Sequence, residues 1–438
     1  MWTLISRHSG PCGIRSRPFS PQNWRMAMLL DEYARVVGED AVDHLRQLAR
    51  PLAGKQMVHV NSTRVGGGVA EILDKLVPLT RELEIDARWE VITGSPSFYE
   101  CTKTMHNAMQ GSPFPIHEAL LRVYEETNRE NAERLGSLLT DADIVFIHDP
   151  QPAPLIHYLN DRKGKWVWRC HIEASHPYRP VWRYLRRHVA EYDATVFSLA
   201  GFAQPLPNPQ YIIPPSIDPL SDKNVNLSQR EIKAVARRFQ IDPERPLVAQ
   251  ISRFDRFKDP IGVINAYRLA KTYVPELQLV LAGGSAGDDP EGSVVLAEVQ
   301  AAAQGDPDIH VLALPPDAHR TINALQRLAD IVLQKSLREG FGLAVTEAMW
   351  KDKPVIGGDT GGIRLQVVDY YTGFLVNSPE GAALRIRYLL HNPRLIRSMG
   401  RQGRRFVREN FLLTRQLREY LALAVGLLHG TTERIELG

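Results

Sequence analysis

An α/β protein of two doubly wound, Rossmann-like domains facing across a cleft is the fold the sequence predicts. Three observations predict it: the length, a regular alternation of apolar runs with amphipathic segments, and a proline-rich pause near the middle. A chain of 438 residues exceeds one ordinary core and implies two domains of roughly 200 residues. In the first half the apolar runs are QMVHV (56–60), RWEVI (88–92), DIVFI (143–147), KWVWRCHI (165–172), ATVFSL (194–199) and QYIIP (210–214). Helical stretches at 69–83, 116–139 and 181–191 lie between them. In the second half the runs are PLVAQIS (246–252), LQLVLAG (277–283), IHVLAL (309–314), DIVLQKS (330–336), PVIGG (354–358) and GFLV (373–376). This is the rhythm of parallel sheets covered by helices on both faces.

The rhythm stops at IIPPSIDPLSDKN (212–224), where Pro214, Pro215 and Pro219 exclude both helix interior and central strand. The predicted division is therefore a tail over 1–24, a first domain over 25–217 and a second over 218–411. The terminal segment 412–438 is a candidate to complete the first domain, and the helical stretch 393–429 a candidate to cross back. Residues 1–30 contain no acid and carry Arg7, Arg15, Arg17 and Arg25. A disordered tail or an upstream start codon is the favoured reading, with an organelle transit peptide as its rival.

Composition narrows the function. A net charge of +3 without a long basic block argues against nucleic acid as the main partner. Cys12, Cys101 and Cys170 are too scattered for a disulfide framework, which fits a reducing cytoplasm. No apolar run reaches the roughly 18 residues of a membrane span.

Three loops carry the chemistry. In VHVNSTRVGGGVAEIL (58–73) a strand ends near Asn61, and glycines 66–68 lead into a helix. Glycine lets main chain approach a ligand, and the helix start offers unpaired N–H groups suited to a phosphate or a sugar hydroxyl. The loop lacks the Gly-Lys-Ser/Thr of a Walker A motif, and a flexible loop without a ligand is the equal alternative. In ISRFDRFKDP (251–260) Arg253 and Lys258 stand after a strand, where ligands of such sheets bind. Arg forks onto phosphate oxygens and Lys adds a point charge. Taken alone this loop reads as solvated and basic, with Arg256 the exposed spare. In LREGFGLAVTEAMW (337–350) Glu339 precedes a glycine turn and Glu347 lies one turn into the helix, about 12 Å along if the helix is regular. Carboxylates so spaced suit a sugar–diphosphate–ribose ligand: sugar at Glu339, diphosphate near Gly342 and the basic loop, ribose at Glu347. Singly, each Glu reads as a charge favouring the helix dipole; together the three loops favour the ligand.

This combination resembles the retaining GT-B glycosyltransferases of the sucrose and glycogen synthase type, family 4, from about Gln56 to Phe411. HVNSTRVGGGVAEIL, DIVFIHDPQPAPLI, WRCHIEAS, YIIPPSIDPLSDKN and ISRFDRFKDPIGVINAY resemble one branch, the glycosyltransferring trehalose synthases. Those enzymes join glucose from a nucleotide-diphosphate glucose to free glucose.

The resemblance implies an acceptor-side first domain and a nucleotide-sugar-binding second domain. Arg253 and Lys258 would neutralise the leaving diphosphate, and Glu347 would bind ribose. Glu339 and the backbone of Gly340, Phe341, Gly342 and Leu343 would hold the donor. Gly67 and Gly68 would approach it from the first domain. His171 would stand near the reacting sugar, while Asn61, Asp149 and Gln151 are candidate acceptor contacts. The implied partners are ADP-, UDP- or GDP-glucose and glucose, in a reaction able to run backwards. Neither nucleic acid nor membrane is implied, and a homodimer is left open. The resemblance implies no required cofactor and no metal site, and leaves stimulation by Mg2+ open. GDDPEG (287–292) reads as a polar surface loop, and His148–Asp149 is too sparse for a metal. The competing readings are a family 4 transferase with another acceptor or hexose, an epimerase of similar form, and a non-catalytic nucleotide-sugar sensor. The intact Arg253, Lys258, Glu339 and Glu347 set argues against the sensor.

Overall fold

The computed structural model describes residues 29–65, 67–284 and 290–430. The predicted tail, Gly66, part of the 287–292 loop and the last residues of the terminal segment lie outside the described residues. The first domain holds β1 (Gln56–Asn61), β2 (Asp86–Val91), β3 (Ile144–His148), β4 (Lys165–Arg169), β5 (Ala194–Phe197) and β6 (Gln210–Ile212). The second holds β7 (Leu247–Ile251), β8 (Gln278–Gly284), β9 (Ile309–Leu314), β10 (Ile331–Gln334), β11 (Val355–Gly358) and β12 (Gly373–Val376). The orders are β2-β1-β3-β4-β5-β6 and β12-β11-β10-β7-β8-β9, and every pairing is parallel. β3 and β7 are buried at all their positions. Their unbroken apolar runs follow from helices on both faces.

Strand order reverses between β1 and β3 in one sheet and between β7 and β10 in the other. At such a reversal neighbouring connections leave to opposite faces and open a crevice beyond the carboxyl ends of the strands. The segments after β1, β3, β7 and β10 carry most of the predicted site residues, with His171 after the neighbouring β4, so both crevices fall where the sequence places its chemistry. Local signals set the helices that border them. Asp259, in a left-handed conformation at φ 51°, caps Pro260–Lys271 by accepting from Gly262 N. A reciprocal Ser228–Glu231 capping box opens Gln229–Arg238 and the second domain.

Two chain segments cross between the domains side by side. Ile217 N donates to Phe411 O at 2.9 Å, and Leu413 N to Ile217 O at 3.0 Å. Arg415 donates to the carbonyls of Pro214 and Pro215, which have no ladder partner of their own. The helix Leu413–His429 then buries Leu413, Leu417, Tyr420 and Leu421 in the first-domain core with Met57, Ile144 and Phe146. Each such side chain stabilises by about 1.5–3 kcal/mol, which fixes this helix to the first domain. The preceding helix, Pro393–Asn410, stays behind: Met399 and Val407 pack in second-domain cores. Only the last part of the 393–429 stretch returns. The KWVWRCHI strand is also shorter than its apolar run. It ends at Arg169 because the Asp149 carboxylate takes the N–H of His171 at 2.7 Å and turns the chain outward.

Candidate active site

The second-domain wall is charged. Lys258 Nζ bonds Glu339 Oε2 at 2.7 Å, and Ser336 Oγ donates to the same oxygen at 3.2 Å. The side chains of this pair are 15% and 9% exposed, so each ion relies on the other for its charge balance. Gln250 Nε2 holds the Lys258 carbonyl at 2.7 Å. Arg253 is exposed, with Asp255 3.6 Å away, and is free to swing onto a ligand. Arg256 is exposed and pairs with Glu298 outside this group.

Gly342 caps the helix Leu343–Trp350 at φ 85°, where a Cβ would lie 3.1 Å from Glu339 Cγ. Glycine is needed there to expose the first N–H groups of the helix. The ring of Phe341 faces the core against Phe411, so only its backbone is available to a ligand. Glu347 is buried and lines a cavity of about 470 Å³ between the domains, with Leu343, Glu71, Lys223 and His319.

The first-domain wall is built from neutral and buried groups. Gly67, at φ 82°, caps the helix Gly68–Glu82. A Cβ on Gly68 would lie 3.2 Å from Leu343 Cδ1, so the starts of these two helices meet across the cleft. Each of these helix starts carries unpaired N–H groups and the positive end of a helix dipole. Asp149 is held at φ 63°, its carboxylate on His171 N. Burial pushes its carboxyl up to about 7, against the opposing pull of the His171 N–H and Arg169. His171 is half-buried, and burial with the charge of Arg169 keeps its ring neutral. Gln151 lies nearby, its side-chain oxygen buried without a partner.

Asn61 is buried: its Nδ2 donates to Thr63 O at 2.8 Å and its Oδ1 accepts from Trp89 Nε1 at 2.8 Å, so it shapes the start of the glycine loop. The site also recruits groups that the motifs did not single out. His106, on the helix Pro96–Met109, faces Arg253 and is lowered to about 4 by burial and that charge. Lys223 Nζ reaches Glu71 across the domains at 2.6 Å, and Arg338 donates to Gln110 O. Beneath Glu339 lies the Gly361–Gly362 turn. A Cβ on Gly361 would sit 1.7 Å from Glu339 O, and Gln366 Nε2 clamps the carbonyl of Phe341. A Gly-Gly pair two residues after the strand β11 was the available signal for this support. Lone basic residues on other loops gave none.

Residues 59–204 match the family model "Trehalose synthase, N-terminal domain", and residues 231–406 match "Glycosyl transferases group 1". The trehalose synthase of Thermococcus litoralis is 46% identical over 398 residues, spanning 90% of this chain and 96% of that protein. That of Rubrobacter xylanophilus is 43% identical over 406 residues, spanning 91% and 97%. Among solved structures, "Trehalose-6-phosphate from E. coli bound with UDP-2-fluoro glucose" superposes with a TM-score of 0.69 at 14% identity, covering 84% of this chain and 99% of that one. At that identity the likeness speaks for the fold, which is GT-B. With both domains matched in their proper halves and relatives above 40% identity along nearly the whole chain, this protein belongs to the trehalose synthase family of GT-B glycosyltransferases.

Proposed function

We propose that the protein transfers glucose from a nucleotide-diphosphate glucose to the anomeric hydroxyl of free glucose, with retention, giving α,α-trehalose. The meeting of two helix N-termini at Gly68 and Leu343, beside the Lys258–Glu339 pair, carries this reading. It is a place for a diphosphate, with a carboxylate for sugar hydroxyls on one side and Glu347 for a ribose on the other. In the reaction the bond from C1 to the phosphate oxygen breaks, and the electron pair leaves with the diphosphate. Arg253, Lys258 and the two helix starts stabilise that charge. The acceptor oxygen attacks C1 from the face the diphosphate vacates, and a phosphate oxygen takes the acceptor proton. Lys258 has three donors, so it can hold Glu339 and a phosphate oxygen together. Closure of the domains through contacts such as Arg338–Gln110 and Lys223–Glu71 keeps water from the activated sugar. No metal is assigned a role.

The test is incubation of pure protein with ADP-, UDP- or GDP-glucose and free glucose, with the product identified by NMR. A non-reducing α,α-linked disaccharide supports the proposal. A different linkage or acceptor sinks it in favour of a related transferase, and tight nucleotide-sugar binding without product identifies a sensor.

A further inference from the structure

Three histidines form an unbroken hydrogen-bonded line from the first-domain core to the cleft. His59 Nδ1 lies 3.0 Å from His148 Nε2, and His148 Nδ1 lies 2.9 Å from His171 Nε2. The sheet builds this line. His59 on β1 is in register with Phe146 on β3, and His148 stands two residues further along. His148 is in register with Arg169 on β4, and His171 stands two residues beyond that. The step from His59 to His148 keeps to one face of the sheet by the strand period of two, and His171 follows where the chain leaves the carboxyl end of β4. Successive rings are inclined by 33° and then 21°, with centroids 5.3 Å and then 5.2 Å apart.

We propose that His59 and His148 are positioning residues which lock the tautomer and the orientation of His171, so that its Nδ1 is presented to the donor sugar as an N–H donor. A neutral imidazole has one donor and one acceptor nitrogen, so both hydrogen bonds must run in the same direction. If they run inward, the last N–H falls on His59 Nε2. That atom is buried without a partner, in a pocket made by the rings of Phe146 and Tyr420. If they run outward, His59 Nε2 is a bare acceptor and the last N–H falls on His171 Nδ1. Buried donors without partners are rarer than under-satisfied acceptors, so the outward direction is favoured.

The line needs all three rings neutral. Burial lowers His59 to about 3, and His148 and His171 are likewise held well below the usual histidine value, chiefly by burial. The groups around His171 act together. Arg169 beneath it opposes a second positive charge, the Asp149 carboxyl is spent on its backbone N–H, and the neighbouring Glu173 is spent on Ser175. The loop of Glu339 and Gly340 closes the far side, with Gly340 against the His171 carbonyl. A lone histidine at this place would sample both tautomers and rotate. A line anchored in the core removes that freedom before substrate arrives.

The purpose of the line rests on the proposed function, but its existence does not, and the experiment separates them. Protein labelled with ¹⁵N-histidine is compared with His148→Ala and His59→Phe, and the His171 signals are identified by their loss in His171→Gln. The parent is expected to show His171 neutral at pH 6 with its proton on Nδ1. In His148→Ala the signal should shift toward the Nε2–H form. In the same variant, turnover should fall about 10- to 100-fold, with KM for the nucleotide sugar within about threefold of the parent. Added imidazole should restore part of the rate. His59→Phe keeps the stacked apolar pocket and should give a mixture of His171 tautomers, even if the alanine variant folds poorly. A parent spectrum with a bare Nδ1, or a His171 tautomer unchanged in both variants, overturns the proposal. A parent that makes no trehalose sinks the proposed function and leaves the spectroscopic result intact.

Discussion

The two walls of the cleft solve opposite problems. The second-domain wall presents charge: Lys258, Arg253, Glu339 and Glu347 on loops and a helix start. The first-domain wall presents neutral groups, with His59, His148 and His171 bonded in series and Asp149 fixed by His171 N–H. On the proposed function, one wall would meet a leaving group that gathers negative charge, and the other would meet sugar hydroxyls, which need direction more than charge. A wall that handles charge can keep mobile side chains; a wall that handles direction must have its groups locked from behind.

Lys258→Ala attacks the charged wall directly. Transfer, measured as kcat/KM, should fall about 10²- to 10³-fold, while the cost in stability from leaving Glu339 uncompensated should be about 1–3 kcal/mol. A variant with parental kcat/KM would remove the basic loop from the mechanism. Gly361→Ala attacks the support under Glu339, because its Cβ would lie 1.7 Å from Glu339 O at a backbone φ of 44°. Denaturant unfolding should show a loss of about 1–3 kcal/mol, with weakened donor binding. Unaltered binding would mean that the Glu339 loop does not need this turn.

Asp149→Asn probes the neutral wall. The Asp149 carboxyl is raised from 3.8 to about 7 by burial. The folded protein thus keeps a proton that the unfolded chain releases, and the group's contribution to stability falls as pH rises from 3.8 to about 7. The asparagine variant should lack that slope and gain on the parent at pH 8 relative to pH 5, as read from unfolding curves. Its transfer rate should show none of the pH dependence near pH 7 that titration of Asp149 gives the parent. The smallest effect belongs to the bridge between the walls. Glu71→Gln loosens the Lys223 contact, and should cost at most about 1 kcal/mol with a modest rise in KM.

The same contrast decides what could be read from the sequence. The fold was legible because every buried strand is an apolar run, and the Pro214–Pro215 linker interrupts the pattern. The charged wall could be singled out because Glu339 and Glu347 flank a glycine turn while Arg253 and Lys258 follow a strand, where ligands of such sheets bind. The neutral wall was not. His59 sits inside a strand like any core residue, and only strand register brings it to His148 and His171. Asn61 is ambiguous for the same reason: a polar residue at a strand end is as suited to holding a loop as to holding a ligand, and only the structure shows that Trp89 donates to its side-chain oxygen. The crossing helix 413–429 was visible as a helix, but its destination depends on contacts some 350 residues away in the chain with Met57 and the first-domain core.

The most direct test is a crystal structure of the protein with a non-transferable nucleotide-diphosphate glucose. The diphosphate should lie between the helix starts at Gly68 and Leu343, within hydrogen-bond reach of Lys258, with glucose beside His171 and Glu339 and ribose at Glu347. A ligand bound away from both helix starts would contradict the account.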